Sequence, residues 1–256
     1  VLLAFGLQGG IGFVALWTDW GIAALAAASE YVAALLGYSR AGMEFMFGGL
    51  VGTSDSLGFV FAFNVLPVVI FFSSLIAVLY HARVMQWMIR ILGGGLRKLL
   101  GTSHTESLSA AANVFVGQAE APLVARPYIS SMTQSELFAV MVGGMASIAG
   151  SVMAGYVALG VPLEYLLAAS FMAAPGGLLM AKLIEPEVDQ PAEPAQGEKL
   201  VTEQYVNLID AAATGAVNGL QMAGAIGAML LAFIALIAMV NGILGAGGTW
   251  SVSYTH

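Results

Sequence analysis

The sequence predicts an all-α membrane protein, a multi-span helical bundle that contains a re-entrant helical hairpin. Three observations carry this expectation. The 256 residues are 59% hydrophobic and only 9% charged, against about 25% charged in a soluble domain, and the mean hydropathy is +0.88. Several apolar stretches reach the roughly 20 residues that a helix needs to cross a bilayer. One stretch, Asn113-Val114-Phe115-Val116-Gly117-Gln118-Ala119-Glu120-Ala121-Pro122, instead sets an amide and a carboxylate among apolar segments.

Composition also excludes. There is no Cys, so disulfides and thiolate metal sites are ruled out. The three His are scattered and make no metal constellation. A formal net charge of −7 argues against a nucleic-acid surface. No Walker A sequence, Rossmann glycine fingerprint or nucleophile elbow is present.

Taken in order, residues 1–17 form an apolar span whose beginning is missing, with Trp17 and Trp20 marking an interface. Residues 22–36 read as an interfacial helix because of Glu30 and its flanks, and 48–55 as loop. Residues 57–80 form a span kinked at Pro67. The basic cluster His81, Arg83, Arg90, Arg97, Lys98 and His104 follows, with 86–92 lying along the membrane surface up to a Gly93-Gly94-Gly95 break. These parts, 1–103, make a scaffold.

Residues 104–131 are the re-entrant hairpin. Ser103-His104-Thr105-Glu106 fits a capping box that starts a first half-helix over 105–116. Gly117 and Pro122 interrupt the helix, and a second half-helix follows over 121–131. Each piece spans roughly 15–18 Å, half a bilayer. A break at that depth requires cover from protein or a water-filled cavity, and an intramembrane carboxylate is a functional-site candidate. The same residues admit a plainer reading, in which Glu120 pairs with Arg126 and fixes a loop.

Residues 132–184 hold two further spans. In the first, 133–158, Gly143, Ser147, Ser151 and Gly155 recur every fourth residue, a small-residue packing face that also allows Ser147 to face a cavity. The second, 163–183, carries a weak point at Pro175-Gly176-Gly177. Residues 185–205 read as an acidic cytoplasmic linker, and 206–250 as a long scaffold span. Placing the 81–104 cluster in the cytoplasm puts Arg83, Arg90, Arg97, Lys98, Arg126, Lys182 and Lys199 inside and only Arg40 outside. The broken element then enters and leaves from the cytoplasmic side.

Residues 117–122, with Met132-Thr133-Gln134-Ser135-Glu136-Leu137 and Ala146-Ser147-Ile148-Ala149-Gly150, resemble the concentrative nucleoside transporters. The likeness reaches from about Phe47 to Leu244. It implies a sodium-coupled, or in some members proton-coupled, nucleoside importer that forms homotrimers in the cell membrane. It also implies roles. Gln118 and Glu120 would bind the nucleobase at the hairpin tip, with Ala119 between them and Val152 beside the base. Asn113, Val116, Ser147 and Ile148 would hold sodium through side-chain and main-chain oxygens.

Two departures stand out. Ala119 occupies the position of a hydroxyl residue, which removes one possible bond to the base. Nothing after Leu244 matches the family's second hairpin, so the chain reads as the N-terminal part of a transporter, poorly stable and silent in uptake on its own. The rival class is a membrane scaffold or oligomerising fragment without transport activity. An intramembrane enzyme is weakly supported, because Glu120 is the one carboxylate expected at depth.

Overall fold

A computed structural model describes residues 2–54, 58–116, 125–148, 150–158, 160–191 and 205–252. Helix α1 (Leu2–Trp17) meets α2 (Asp19–Phe47) at Thr18, whose hydroxyl accepts the Gly21 N–H at 3.2 Å. That is an N-cap, and it separates two helices that sequence hydropathy alone would blur. Helix α2 runs well beyond the interfacial 22–36 expected. Its Ala-rich sequence favours helix, and Arg40 pairs with Glu44 one turn on at 2.7 Å. By length and composition four stretches among the described residues can cross a membrane: Asp19–Leu50, Phe61–His81, Leu163–Ile184 and Leu208–Gly245.

A small antiparallel pair, β1 (Thr53–Ser54) and β2 (Gly58–Phe59), precedes α3 (Phe61–Asn64) and α4 (Leu66–His81). The expected kink inside one helix is instead a stop and restart at Val65. Pro67 falls in the first turn of α4, where a missing N–H leaves no bond unmade. Arg83, left-handed at φ 62°, turns the chain into α5 (Val84–Leu100). The predicted break at Gly93-Gly94-Gly95 does not occur, and α5 continues through all three residues. Packing explains this. A Cβ on Gly93 would sit 3.2 Å from the Ser107 carbonyl oxygen, so the glycine lets α5 lie directly against the next helix.

Helix α6 (His104–Asn113) begins at the expected capping box. Glu106 N–H donates to Ser103 Oγ, and Ser103 N–H to the Glu106 carboxylate. The helix ends three residues short of the expected 116, in a turn over 114–116. A 3₁₀ segment, Arg126–Ser131, stands where part of the second half-helix was expected. The expected single helix over 133–158 is broken into α7 (Gln134–Ala146) and α8 (Gly150–Ala158), with Ser147 extended at ψ 157°. The four-residue stripe is therefore split. Gly143 faces Asn113, whereas a Cβ on Gly155 would meet Val65 at 2.8 Å.

Helix α9 (Leu163–Ile184) passes through Pro175 without stopping, and α10 (Leu208–Val252) is one long helix. Two apolar clusters flank α6. Leu108, Ala111 and Ala112 pack with Ile76 of α4 and with Met85 and Ile89 of α5. Ala110 packs with Ala139 of α7 and with Ala174, Leu178 and Ala181 of α9. Every residue from Thr105 to Asn113 is buried, so α6 is enclosed on all sides.

Helix α10 lies along α4 through Gly215 and Gly219, one turn apart. A Cβ on Gly219 would stand 2.7 Å from Ile70 Cα, and Ser74 Oγ donates to the Ala212 carbonyl at 2.9 Å. The Gly219→Leu variant should lower the stability of the detergent-solubilised protein by about 1–3 kcal/mol, the usual cost of overpacking. An unchanged melting temperature would mean that the two helices do not meet in this register.

Candidate functional site

Both described flanks of the 104–131 segment lie at one end of the bundle. The His104 and Tyr128 rings meet edge-on with centroids 6.5 Å apart. Lys182 at the end of α9 touches Glu106 in the first turn of α6 and, at 2.7 Å, Ser135 in the first turn of α7. The chain thus leaves this end as α6 and has returned to it by residue 128.

The far ends of α6 and α7 also meet. Ser147 Oγ lies 3.4 Å from Asn113 Oδ1 and 3.4 Å from the Gly144 carbonyl oxygen. Asn113 is 2% exposed, and its Nδ2 has no hydrogen-bond partner among the described residues. Gly143 makes room for that amide, since a Cβ there would touch Nδ2 at 3.0 Å. Gly150 opens α8 hard against the turn after α6: its Cβ would stand 2.5 Å from the Phe115 carbonyl oxygen. Two helix breaks, 114–116 and 147–148, therefore face each other.

The electrostatics of this junction favour a cation. The C-termini of α6 and α7 converge, and each helix end carries roughly half a negative charge from unpaired carbonyls. Val116 is fully buried, with its side chain in the apolar cluster beneath α5, so only its main-chain oxygen can serve. Ile148 packs its side chain towards Met153, Leu163 and Leu166, which leaves it the same limit. Neutral amide, hydroxyl and carbonyl oxygens are the donor set a hard monovalent or divalent cation takes. No group of three His, Cys, Asp or Glu suited to a metal occurs among the described residues.

The predicted sites thus divide. Asn113 and Ser147 are brought together, and Val116 and Ile148 flank them in the two breaks. Val152 lies half-buried in the first turn of α8. Gln118, Ala119 and Glu120 lie outside the described residues, as does any Glu120–Arg126 pair.

The sequence reading missed a polar cluster at the opposite end of α6 and α7. Glu136 repeats the capping box of Glu106: its N–H donates to Thr133 Oγ1 at 3.1 Å and its carboxylate accepts the Thr133 N–H at 2.9 Å. Lys182 Nζ donates to Ser135 Oγ and, at 3.1 Å, to Glu187 Oε2, which also accepts from Thr133 Oγ1 at 2.9 Å. Glu106 and Glu136 are each 1% exposed, so Glu120 is not alone as a buried-carboxylate candidate. Both close helix capping boxes with one carboxylate oxygen. The signal was legible as a second box, Thr133-Gln134-Ser135-Glu136.

Comparison with known proteins addresses the whole chain. Residues 1–50 match the model of the Na+ dependent nucleoside transporter N-terminus, 62–163 that of a nucleoside recognition gate, and 165–255 that of the Na+ dependent nucleoside transporter C-terminus. The likeness therefore extends on both sides of the 47–244 expected. The chain is 55% identical to an uncharacterized transporter of Haemophilus influenzae, over 98% of this chain and 60% of that protein. It is 48% identical to the nucleoside permease NupC of Helicobacter pylori, over 94% of this chain and 58% of that one. A structure of CNTnw in an inward-facing substrate-bound state superimposes with a TM-score of 0.91 at 55% identity, covering 98% of this chain and 60% of the other. The chain spans about 60% of the length of these relatives.

The facing breaks leave no space for a side chain at residue 150. The Gly150→Ala variant should push Phe115 and Gly150 apart and cost about 1–3 kcal/mol. Thermal unfolding in detergent measures this, and an alanine tolerated without loss would show that the two breaks are not in contact.

Proposed function

The chain belongs to the concentrative nucleoside transporter family, and from that premise we propose that it takes part in sodium-coupled nucleoside import across the cell membrane. The family is one of transporters, not enzymes, and the chain's apolar helices make it a multi-pass membrane protein. The observation that carries the reading is the junction at Asn113 and Ser147, a buried amide and a hydroxyl where two half-helices end inside apolar surroundings.

In this reading Asn113 Oδ1, Ser147 Oγ and the main-chain oxygens of Val116 and Ile148 hold sodium. When bound, the ion supplies the positive charge that neutralises two converging helix ends. The turn at 114–116 leads straight into Gly117, so the residues beside the ion site also fix the base of the tip that bears Gln118 and Glu120. Those two side chains offer an amide and a carboxylate to the nucleobase edge, and Ala119 leaves the position between them without a donor. Val152 adds an apolar contact. The scaffold alternative has nothing comparable to explain a polar junction of this kind.

Sodium-driven uptake of labelled uridine or adenosine by the intact protein in proteoliposomes tests the proposal. The Asn113→Ala variant should raise the sodium concentration for half-maximal uptake, and unchanged sodium dependence would remove Asn113 from the site. The Glu120→Gln variant should lose a charge-assisted bond of about 1.5–3 kcal/mol, or roughly 10- to 150-fold in nucleoside affinity, while remaining folded. Failure to fold would favour a structural Glu120–Arg126 pair.

The segment 104–131 is proposed to be re-entrant from the cytoplasmic side, in keeping with the basic residues at 81–104. The chain contains no Cys, so His104→Cys and Ser130→Cys variants report without background. Both should be labelled from the cytoplasmic face, and labelling from opposite faces would sink the hairpin.

A further inference from the structure

We propose that Lys182 is a positioning residue for the cation junction: its ammonium group sets the axial register of α6 against α7, and hence the spacing of Asn113 and Ser147 at their far ends. The inference rests on the sodium reading given above and deepens it by naming a residue remote from the ion.

Lysine carries three N–H donors. The ammonium group of Lys182 has three partners, on three different parts of the chain. Glu106 belongs to the first turn of α6, Ser135 at 2.7 Å to the first turn of α7, and Glu187 at 3.1 Å to the segment after α9. The contact with Glu106 is charge to charge rather than an aligned hydrogen bond. Glu106 uses its other oxygen to accept the Ser103 N–H at 3.0 Å. Ser135 hands its own proton to the Glu185 carbonyl at 2.7 Å. A further tie, Thr133 Oγ1 to Glu187 at 2.9 Å, locks the N-cap of α7 to the same segment. The two helix starts are thus fixed to one ammonium group, and each capping box holds its helix to its own start.

Helices of this length move as rods. Glu106 stands seven residues before Asn113, about 10 Å along the axis. A slip of α6 along α7 at the Lys182 end therefore appears undiminished at the Asn113 end. The apolar contact between them includes the small side chains Ala110 and Ala139 beside Phe138 and Val142, and the ionic tie adds to what that packing holds. Burial makes the ion pair stiff: Glu106 is 1% exposed and Lys182 18% in its side chain. Removing the ammonium alone leaves a buried carboxylate without its partner, a destabilising force at the start of α6. Removing both charges lifts that force.

The sodium-induced rise in melting temperature of the intact, detergent-solubilised protein reads cation binding without reference to nucleoside, because an ion that binds only the folded state stabilises it by mass action. The Lys182→Met variant should need roughly tenfold more sodium for half-saturation, the factor that about 1.4 kcal/mol represents. The Lys182→Arg variant, which keeps the charge on a differently shaped group, should fall between. The double variant Glu106→Gln with Lys182→Met should return to within about threefold of wild type, since Gln still accepts the Ser103 N–H. If Lys182→Met does not fold, the double variant and Lys182→Arg carry the test. A lowered melting temperature with unchanged sodium half-saturation would make Lys182 a brace for the fold and overturn the proposal. So would a loss that the double variant does not recover. A wild-type protein without any sodium response would overturn the sodium reading instead.

Discussion

A short helix buried on every side is the constraint around which this molecule is arranged. Helix α6 has 10 residues, all but the first enclosed, and it ends inside the protein. A helix leaves about four N–H groups unpaired at its start and four carbonyls at its end. In an apolar interior each unpaired group costs of order 1–3 kcal/mol. The start is satisfied by side chains: Ser103 and Glu106 close the capping box. At the other end the last amides fold back in a tighter turn, with Phe115 and Val116 N–H both reaching the Ala112 carbonyl at 3.0 Å. Beyond it the Phe115 carbonyl lies against the start of α8 rather than lipid, the condition under which irregular backbone persists at membrane depth.

Enclosure on this scale sets the residue sizes around it. Ala110, Ala111 and Ala112 keep α6 slender, and the neighbours answer with glycine at each close approach. Gly93 admits the Ser107 carbonyl, Gly143 the Asn113 amide, and Gly177 brings α9 to within 3.4 Å of the Gly143 Cα for an added Cβ. Polar groups then concentrate at the two ends of α6 and apolar ones along its length. The start carries fixed charges, one ammonium group shared by the carboxylates of Glu106 and Glu187. The end carries uncharged oxygens and helix-end carbonyls. A charged pair stiffens, whereas a neutral oxygen cage with net negative potential is free to take an ion.

Much of this was legible in the sequence. The capping box at Ser103, the half-length first helix and the apolar spans follow from periodicity, hydropathy and chain breakers, and the pairing of Asn113 with Ser147 from the family resemblance. What was not legible depends on partners remote in sequence. Gly93-Gly94-Gly95 signals a break locally, yet tertiary contact with α6 keeps it helical. The reverse holds for 147–148, where no Pro or Gly pair marks the interruption of 133–158; the stripe of small residues read there as one continuous face is split between two helices with different neighbours. Lys182 looked like a membrane-edge residue because its three partners lie 47 or more residues upstream or just beyond the helix end. Gly215 and Gly219 escaped notice for the same reason, since their meaning lies in Ile70 and Ser74 of α4.

The separation between the two polar ends bears on coupling. Coupling between ligands is a shared free energy and is reciprocal: whatever sodium does for nucleoside affinity, nucleoside does for sodium. The chain supplies a short route for it. Asn113 lies five residues before Gln118, and the intervening turn is pinned by Gly150 beneath Phe115. On the proposed reading, filling the junction fixes the carbonyls of this turn and so restricts the conformations open to the tip; a nucleoside held by that tip meets part of its ordering cost already met. The 3.4 Å Ser147–Asn113 distance is long for a hydrogen bond yet suitable for two oxygens that share a third partner.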